Sequence, residues 1–446
     1  MARSIMDIRF LFLVVAAIFI YIQVRLFATQ SHYADRLAAV EKAENQCVSE
    51  SRILIDPISK QQERIVDLEE KMLRKNEECA QLKTLIQDLQ KKLQLTMTHR
   101  DEVPVAAVVV MACNRPDYLE KTIQSILKYQ ISVASKFPLF ISQDGTNADV
   151  KNKAMSFTDV TFMQHIDLEP VETERPGELI AYYKIAKHYK WALDELFVKR
   201  NFNRVIILED DMEIAPDFFE YFEATATLLD TDKTIMAVSS WNDNGQQQFV
   251  YDPEVLYRSD FFPGLGWMLT KSTWEELSPK WPKAYPSLWH INMINIIEVH
   301  KDRQFIHPEV CRTYNFGEHG SSMGQFFQQY LQPIRLNDVQ VNWKSADLSY
   351  LKEENFRKKF AKEVSAAKPL QGSDAILKAH NMDEDVRIQY NDQRDFERIA
   401  RQFGIFEEWK DGVPRTAYKG VVVFRYNKTR RRIFLIAPDS LEQLGL

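Results

Sequence analysis

The residues of this chain that could do chemistry are concentrated in one run, Arg204-Val-Ile-Ile-Leu-Glu-Asp-Asp211. Its four apolar residues predict a strand buried on both faces, as in a parallel sheet. Glu209, Asp210 and Asp211 follow directly and would repel one another, so a divalent cation is the simplest compensation. Ligands of open α/β sheets bind beyond the carboxyl ends of strands, which is where these acids would lie. The alternative is a solvated acidic turn before a helix that begins near Pro216.

The spacing of the acids predicts a division of labour. In an extended strand, Glu209 and Asp211 point to one face and Asp210 to the other, so one face could hold a metal while Asp210 contacts something else. The sequence has no H-x-x-x-H or C-x-x-C pair that would indicate zinc. We therefore expect a hard cation, Mn²⁺ or Mg²⁺, that bridges to phosphate oxygens. The motifs G-x-G-x-x-G and G-x-x-x-x-G-K-[ST] are also absent, which favours sugar-nucleotide transfer over dehydrogenase or P-loop chemistry.

Other polar groups follow other predicted strands. Arg115 comes after the strand Val105–Cys113, and Asp144 ends the strand Pro138–Asp144. We expect Cys113 to be a buried structural thiol. Helical patterns over Asp117–Tyr129 and Ile180–Leu196 separate these strands, and this alternation predicts an α/β fold with a mostly parallel sheet flanked by helices.

From about Trp343 onward the chain is charged and less regular. We expect residues 105–342 to form the nucleotide-sugar domain and residues 343–446 a smaller C-terminal domain. Val421–Phe424 and Arg432–Ile436 in that second part predict a hairpin, and Asn427-Lys-Thr429 is a glycosylation sequon that is usable only in a secretory lumen.

The overall composition excludes some classes of protein. A formal net charge of −6 and a pI of about 5.9 argue against a nucleic-acid partner, which would need a basic face. Four cysteines in 446 residues are too few for a disulfide scaffold. A hydrophobic fraction of 45% is enough for a sizeable core.

The N-terminus has the pattern of a membrane anchor. Residues 10–28 are almost uncharged and about as long as a bilayer requires. Arg3 and Arg9 favour a cytosolic tail over residues 1–9, which makes the chain a single-pass protein whose bulk lies in the secretory lumen. A buried core helix is the alternative.

The segment 29–104 is polar and favours helix, so we interpret it as a stem and linker. Apolar residues recur three and four apart through its second half, at Ile65, Leu68, Met72, Cys79, Leu82, Ile86, Leu89 and Leu93, with Lys75 as the one break. This heptad pattern predicts a coiled coil, with a parallel homodimer and a lone solvated helix as the two interpretations.

Six longer motifs stand out within residues 105–438. They are Ser142-Gln-Asp144, Tyr182-Tyr-Lys-Ile-Ala-Lys-His-Tyr189, Glu209-Asp-Asp-Met-Glu-Ile-Ala-Pro-Asp-Phe-Phe219, Ser240-Trp-Asn-Asp-Asn-Gly245, Asp260-Phe-Phe-Pro-Gly-Leu-Gly-Trp267 and Gly324-Gln-Phe-Phe327. Together they resemble the N-acetylglucosaminyltransferase I family. The resemblance implies a GT-A fold and inverting transfer of GlcNAc from UDP-GlcNAc, with Mn²⁺. The acceptor implied is the α-1,3 mannose of an oligomannose N-glycan on a glycoprotein, at the start of complex and hybrid glycan synthesis.

The resemblance also assigns residues and a location. It implies that Arg115, Asp144 and His188 hold the donor nucleotide. It further implies that Asp210 contacts the nucleotide sugar, that Asp211 ligates Mn²⁺, and that Ser322 lies in a loop over the donor. Only the resemblance selects His188, because a histidine on a helix is more often structural. The implied location is the Golgi membrane, as a type II protein with a lumenal catalytic domain.

One stretch departs from the family. Family members carry their catalytic base in a Trp-Asp-Asp-Trp stretch just after the equivalent of residues 281–285. Here Pro286-Ser-Leu-Trp-His290 follows, so Ser287 and Leu288 stand where the acids are expected and no base is assigned. Residues 291–299 also resemble nothing in the family. Either the chain has diverged into a donor-binding protein with little activity, or this stretch reflects a wrongly joined exon.

Overall fold

The structure is a computed structural model that describes residues 8–96, 103–174, 178–283, 300–320, 324, 326–372, 374–410 and 412–446. It divides into two compact units, Met1–Asp101 and Glu102–Leu446. Helix α1 (Ile8–Thr96) makes up nearly all of the first unit. The described residues contain one helical stretch long and apolar enough to cross a membrane, Leu11–Ser51, judged by length and composition. The predicted anchor falls largely within it, whereas pairing of the stem with a second copy stays a prediction.

The second unit alternates strands and helices. Its strands are β1 (Ala107–Ala112), β2 (Leu139–Asp144), β3 (Thr161–His165), β4 (Arg204–Glu209), β5 (Met212–Ile214), β6 (Ile235–Ser239), β7 (Leu256–Ser259), β8 (Trp267–Thr270), β9 (Gln304–Pro308), β10 (Thr313–Asn315), β11 (Lys368–Leu370), β12 (Val386–Gln389), β13 (Trp409–Lys410), β14 (Val413–Pro414), β15 (Val421–Arg425) and β16 (Arg432–Ile436). Its helices are α2 (Pro116–Gln130), α3 (Ala148–Met155), α4 (Ile180–Asp194), α5 (Phe218–Thr231), α6 (Lys271–Leu277), α7 (Glu353–Ala366), α8 (Ala375–His380), α9 (Gln393–Phe403) and α10 (Ser440–Leu444).

The central sheet has the strand order β3-β2-β1-β4-β8-β6-β9-β7. The first four strands are parallel to one another, β8 is antiparallel to both of its neighbours, and β7 is antiparallel to β9. The predicted α/β architecture with a mostly parallel sheet is thereby confirmed.

Strand β1 shows why the sequence favours this sheet. Every residue of β1 is buried, and its side chains alternate between two cores. Val108 and Val110 pack in the core that includes Leu119 of α2, whereas Val109 packs in the core that includes Leu193 of α4. A continuous apolar run is what a strand covered by helices on both faces requires.

The carboxyl ends of β2, β1 and β4 lie side by side. The register pairs Ala112 of β1 with Gln143 of β2, and Met111 of β1 with Glu209 of β4. The residues that follow each strand therefore emerge along one edge of the sheet. This edge positions the candidate site.

A second sheet, of order β11-β12-β16-β15, lies in the C-terminal part, and β15 and β16 form the predicted hairpin. Its residues divide between two cores. Ile388 and Leu435 belong to a core formed mainly by the C-terminal part, but Phe434 and Ile436 belong to the same core as Val108 of the central sheet. The two sheets thus share one hydrophobic core, and the domain boundary at residues 342 and 343 stays a prediction.

Candidate active site

The acidic turn after β4 closes on one arginine. Arg115 precedes α2, and its Nη2 lies within hydrogen-bonding distance of Asp210 Oδ1 and 2.9 Å from Asp211 Oδ2. Glu209 instead accepts a hydrogen bond from the Tyr189 hydroxyl at 2.9 Å. The alternation expected from an extended strand is therefore wrong beyond Glu209. Strand β4 ends at that residue, and the following turn brings Asp210 and Asp211 together.

Helix α2 fixes the backbone of this turn. The Thr122 hydroxyl donates to the carbonyl of Asp210 at 2.8 Å and accepts from the backbone N–H of Met212 at 3.0 Å. The Asp210 carbonyl and the Met212 N–H, which lie beyond the end of β4, thereby have hydrogen-bond partners. The positions of the two aspartates are set by a buried hydroxyl and not by the sheet alone.

The strand pair β5 and β10 encloses Asp211 from the other side. Asn315 Nδ2 donates to Asp211 Oδ1 at 2.8 Å, and the Phe316 N–H donates to the Asp211 carbonyl at 2.9 Å. Gly317 follows, and a Cβ placed on it would lie 2.0 Å from Asp211 Oδ2. A side chain at this position would therefore force the Asp211 carboxylate to move.

The turn is short of positive charge. The side chains of Asp210 and Asp211 are 5% and 7% exposed, and Arg115 is the cation that the structure places between them. Burial raises the pKa of Asp210 to about 7, against the opposing influence of Arg115, and Asp211 adds to the rise. Burial also disfavours the charge of Arg115, but Asp211 and Asp210 outweigh it and raise its pKa. A second cation beside Asp211 would relieve this imbalance.

Asp144 and His188 form a neighbouring cluster at the end of β2. His188 is buried, and its Nε2 lies 2.8 Å from the Ser142 hydroxyl. Burial lowers the pKa of His188 to about 4, so the ring is neutral near pH 7. The Asp144 carboxylate lies 2.7 Å from Nδ1 of His165.

Cys113 lies between the two clusters. It is exposed, so the prediction of a buried thiol is wrong, and the reason is that β1 ends at Ala112, one residue earlier. Its pKa is raised by partial burial and then by Asp144 and Asp210. The sheet register places Cys113 at the edge where β2 and β4 also end.

Some predicted site residues lie outside the described part of the chain. They are Ser322, proposed for the donor loop, and Ser287 and Leu288, which stand where the family base is expected. Their roles stay predictions from the sequence.

The residues present suit a metal that arrives with a diphosphate. In the part of the chain that the structure describes, no group of three or more His, Cys, Asp or Glu side chains could enclose an ion. Mg²⁺ and similar hard cations are often held by one or two carboxylates together with substrate phosphates and water. Asp211 provides one buried carboxylate of this kind, so the donor set fits Mn²⁺ or Mg²⁺.

Several contacts of the site were not predicted from the sequence. Thr122, Asn315 and Gly317 belong to no recognisable sequence motif. Their roles are seen only from their contacts in the structure. His165 could have been found, because it ends β3 in register with Asp144. That strand has a weaker apolar pattern and was not predicted.

The comparisons with known proteins agree on one family. The family model described as "GNT-I family" matches residues 13–446. The α-1,3-mannosyl-glycoprotein 2-β-N-acetylglucosaminyltransferase of Arabidopsis thaliana is 66% identical over 446 residues, which are 100% of this chain and 99% of the relative.

Solved structures match far more distantly. The mannosyltransferase PcManGT from Pyrobaculum calidifontis, in complex with GDP-Man and Mn²⁺, has 18% identity and a TM-score of 0.24 over 40% of this chain and 47% of its own. TarS 1-349 of S. aureus has 10% identity and a TM-score of 0.30 over 48% of this chain and 61% of its own.

Proposed function

Since this chain belongs to the GNT-I family, we propose that it transfers GlcNAc from UDP-GlcNAc to the α-1,3 mannose of oligomannose N-glycans. The transfer proceeds with inversion at the sugar carbon and starts complex and hybrid glycan synthesis. The observation that supports this most directly is the pair Asp210 and Asp211, buried at the end of a parallel strand with one arginine between them.

Each group has a distinct task in this proposal. Asp211 holds Mn²⁺, and Asn315 keeps that carboxylate oriented through its 2.8 Å hydrogen bond. The ion, when bound, takes up negative charge on the departing diphosphate. Arg115 binds the donor nucleotide together with Asp144 and His188, and Asp210 contacts the nucleotide sugar. The family resemblance assigns Ser322, which lies outside the described residues, to a loop over the donor.

The acceptor side of the reaction is less complete. An acid that deprotonates the mannose hydroxyl is worth about 10²–10⁴ in rate. Ser287 and Leu288 occupy the expected acid positions, so the base is left unassigned. The 66% identity over the full length supports the transferase. Nothing in the described residues favours a donor-binding protein without turnover.

The proposal includes a site of action, and the N-terminal helix supports a membrane anchor. We place the chain in the Golgi membrane as a single-pass type II protein, with residues 1–9 cytosolic, residues 10–28 in the membrane and the catalytic unit lumenal. The stretch Leu11–Ser51 has the length and apolar composition for this anchor. The stem would pair with a second copy through its heptads.

The test compares Asp211→Asn with the parent chain in a GlcNAc transfer assay on an oligomannose glycan. Loss of the charged ligand should lower transfer by at least about 100-fold, equivalent to about 2.7 kcal/mol of barrier. Glu213→Gln is the matched control, because Glu213 is a nearby acid on β5 with no proposed role, and it should keep activity within about twofold.

Metal removal adds a second arm. Chelation should abolish transfer by the parent, and Mn²⁺ should restore it. Equal transfer by Asp211→Asn and the parent would refute the metal assignment. Calorimetry with UDP would then separate the remaining cases, since binding without transfer would identify the donor-binding alternative.

A further inference from the structure

His165 occupies a position that the proposed mechanism leaves without a role. It ends β3, and the sheet register pairs it directly with Asp144 at the end of β2. Its Nδ1 lies 2.7 Å from Asp144 Oδ1, and the two side chains are 12% and 16% exposed. The contact is therefore largely shielded from water and directed at a residue of the proposed donor site.

The ring of His165 is held in place on two sides. It stacks on His188 with ring centroids 5.6 Å apart and an interplanar angle of 12°, and it lies 5.3 Å from the ring of Trp191. The Gly145 N–H also donates to the His165 carbonyl at 2.8 Å, which joins the ends of β2 and β3. Because His188 is neutral, the parallel stack involves no repulsion between two charged rings.

We propose that His165 is a positioning residue for the donor nucleotide, an inference that rests on the proposed function. Its Nδ1–H fixes one oxygen of the Asp144 carboxylate. The other oxygen, for which the described residues provide no hydrogen-bond donor, is then presented to an N–H group of the nucleobase. Neutral and protonated histidine can both donate from Nδ1, so the role does not depend on the charge of His165.

The experiment separates the hydrogen bond from the packing. His165→Phe keeps an aromatic ring against His188 and Trp191 but removes the donor, whereas His165→Asn keeps an amide donor near the position of Nδ1. The KM for UDP-GlcNAc should rise roughly tenfold in His165→Phe while kcat stays within about twofold. His165→Asn should recover most of the loss in KM.

The outcomes also separate this inference from the proposed function. An unchanged KM in His165→Phe, or equal impairment of both variants, would overturn the positioning role while the transferase assignment stands. If the parent binds UDP but transfers no sugar, calorimetry of UDP binding replaces KM. Weaker binding by His165→Phe alone supports the role, equal affinities overturn it, and a parent that binds no UDP overturns it together with the donor site.

A different observation concerns the turn between β15 and β16. Asn427-Lys-Thr429 is the one Asn-x-Ser/Thr sequence in the chain, and all three residues are exposed. The φ angles of Asn427 and Lys428 are +53° and +60°, as in the tight turns that join adjacent antiparallel strands. The side-chain amide of Asn427 forms no hydrogen bond with the described residues, so it is available for modification.

We infer that Asn427 carries an N-linked oligosaccharide, which rests on the lumenal placement of the proposed function. In this reaction Asn427 Nδ2 forms a bond to C1 of a sugar from a lipid-linked oligosaccharide diphosphate. The diphosphate leaves with its bonding electrons, and the amide nitrogen gives up one proton. The sugar would extend from the hairpin tip, where no buried group has to move.

The test uses the full chain expressed in a eukaryotic secretory host. Peptide-N-glycosidase should shift the parent by a single step on a gel. Asn427→Gly should show no shift, and glycine suits the positive φ, so the turn is kept. Thr429→Ser keeps the sequon and should still be modified. An unshifted parent that transfers GlcNAc would overturn the modification alone, and a shifted parent without transfer would overturn the proposed function alone.

Discussion

Two buried arginine–aspartate pairs of this molecule differ in how completely the carboxylates are hydrogen-bonded. Asp217 and Arg312 are both fully buried, and Asp217 Oδ2 accepts from Arg312 Nε at 3.1 Å and from Nη2 at 3.0 Å. Asn337 and Trp343 each donate to the same carboxylate at 2.8 Å. Arg312, Asn337 and Trp343 together satisfy the Asp217 carboxylate, so it is not available to bind a ligand.

The pair at the end of β4 is satisfied only in part. One guanidinium, with 25% of its side chain exposed, serves both Asp210 and Asp211. Burial and, to a lesser extent, the neighbouring Asp211 raise the pKa of Asp210 although Arg115 opposes the rise. From this comparison we infer that a buried ion pair with all its hydrogen bonds made stabilises the fold. A buried pair at a strand end that lacks some of its partners is instead available to a charged ligand. Stability and function should therefore separate between the two pairs.

The strongest test of this contrast is Asp217→Ala. Removing one partner of a buried pair leaves the other charge uncompensated, which costs about 3–5 kcal/mol. We expect the free energy of unfolding, measured by chemical denaturation, to fall by that amount. Asp211→Asn should change the free energy of unfolding far less while lowering transfer by at least about 100-fold. The comparison would fail if Asp211→Asn proved the more destabilising of the two.

A smaller effect is expected from pH, because His188 is buried in its neutral form. Its pKa of about 4 lies below the ordinary 6.5, so the unfolded chain binds the proton more readily. Stability should therefore be complete above pH 6.5 and decline as the pH falls towards 4, by about 3 kcal/mol at roughly 1.4 kcal/mol per pH unit. Denaturation curves recorded from pH 7 to 4 should show a shallower decline for His188→Gln.

His307 provides the matched control for that measurement. It is also buried, and burial lowers its pKa to about 4, but it lies in β9 away from the acidic turn. His307→Gln should flatten the pH dependence in the same direction and leave the KM for UDP-GlcNAc unchanged. If His188→Gln and His307→Gln weakened donor binding equally, stability and donor binding would not be separable at these two histidines.

The most local test concerns two glycines that follow β10. Gly317→Ala would place a Cβ 2.0 Å from Asp211 Oδ2, whereas the nearest atom to a Cβ on Gly320 is Arg115 Nη1 at an ordinary 3.5 Å. We expect Gly317→Ala to lower transfer at least about tenfold, which corresponds to about 1.4 kcal/mol. Gly320→Ala should stay close to the parent in the same assay. Equal activity of both variants would show that the Asp211 carboxylate can move without consequence.

The elements that carry the site were predictable from local patterns. The apolar runs before Cys113 and Glu209 are long enough to indicate buried strands, and the strand-end rule then brings Arg115, Asp144 and the acids to one edge. The convergence of Arg115 on Asp210 and Asp211 confirms that part. The alternation rule failed after Glu209 because it holds only while the chain stays extended.

Contacts made across long stretches of sequence were not predictable. Thr122 contacts Asp210, and Asn315 contacts Asp211. Threonine and asparagine are also common on protein surfaces, so the residue type alone does not reveal these contacts. Their roles depend on how α2 and β10 pack around the turn, which no local pattern encodes. His188 was selected by family resemblance alone, and the structure adds its burial and its stack with His165.

The core shared by the two sheets bears on inherited lesions. Phe434, Ile436 and Leu444 are buried in the same core as Val108, although more than 300 residues of chain separate them from β1. A premature stop codon before β16 would remove these residues from the core on which β1 packs. Nonsense alleles near the end of the gene should then be as severe as those near its beginning.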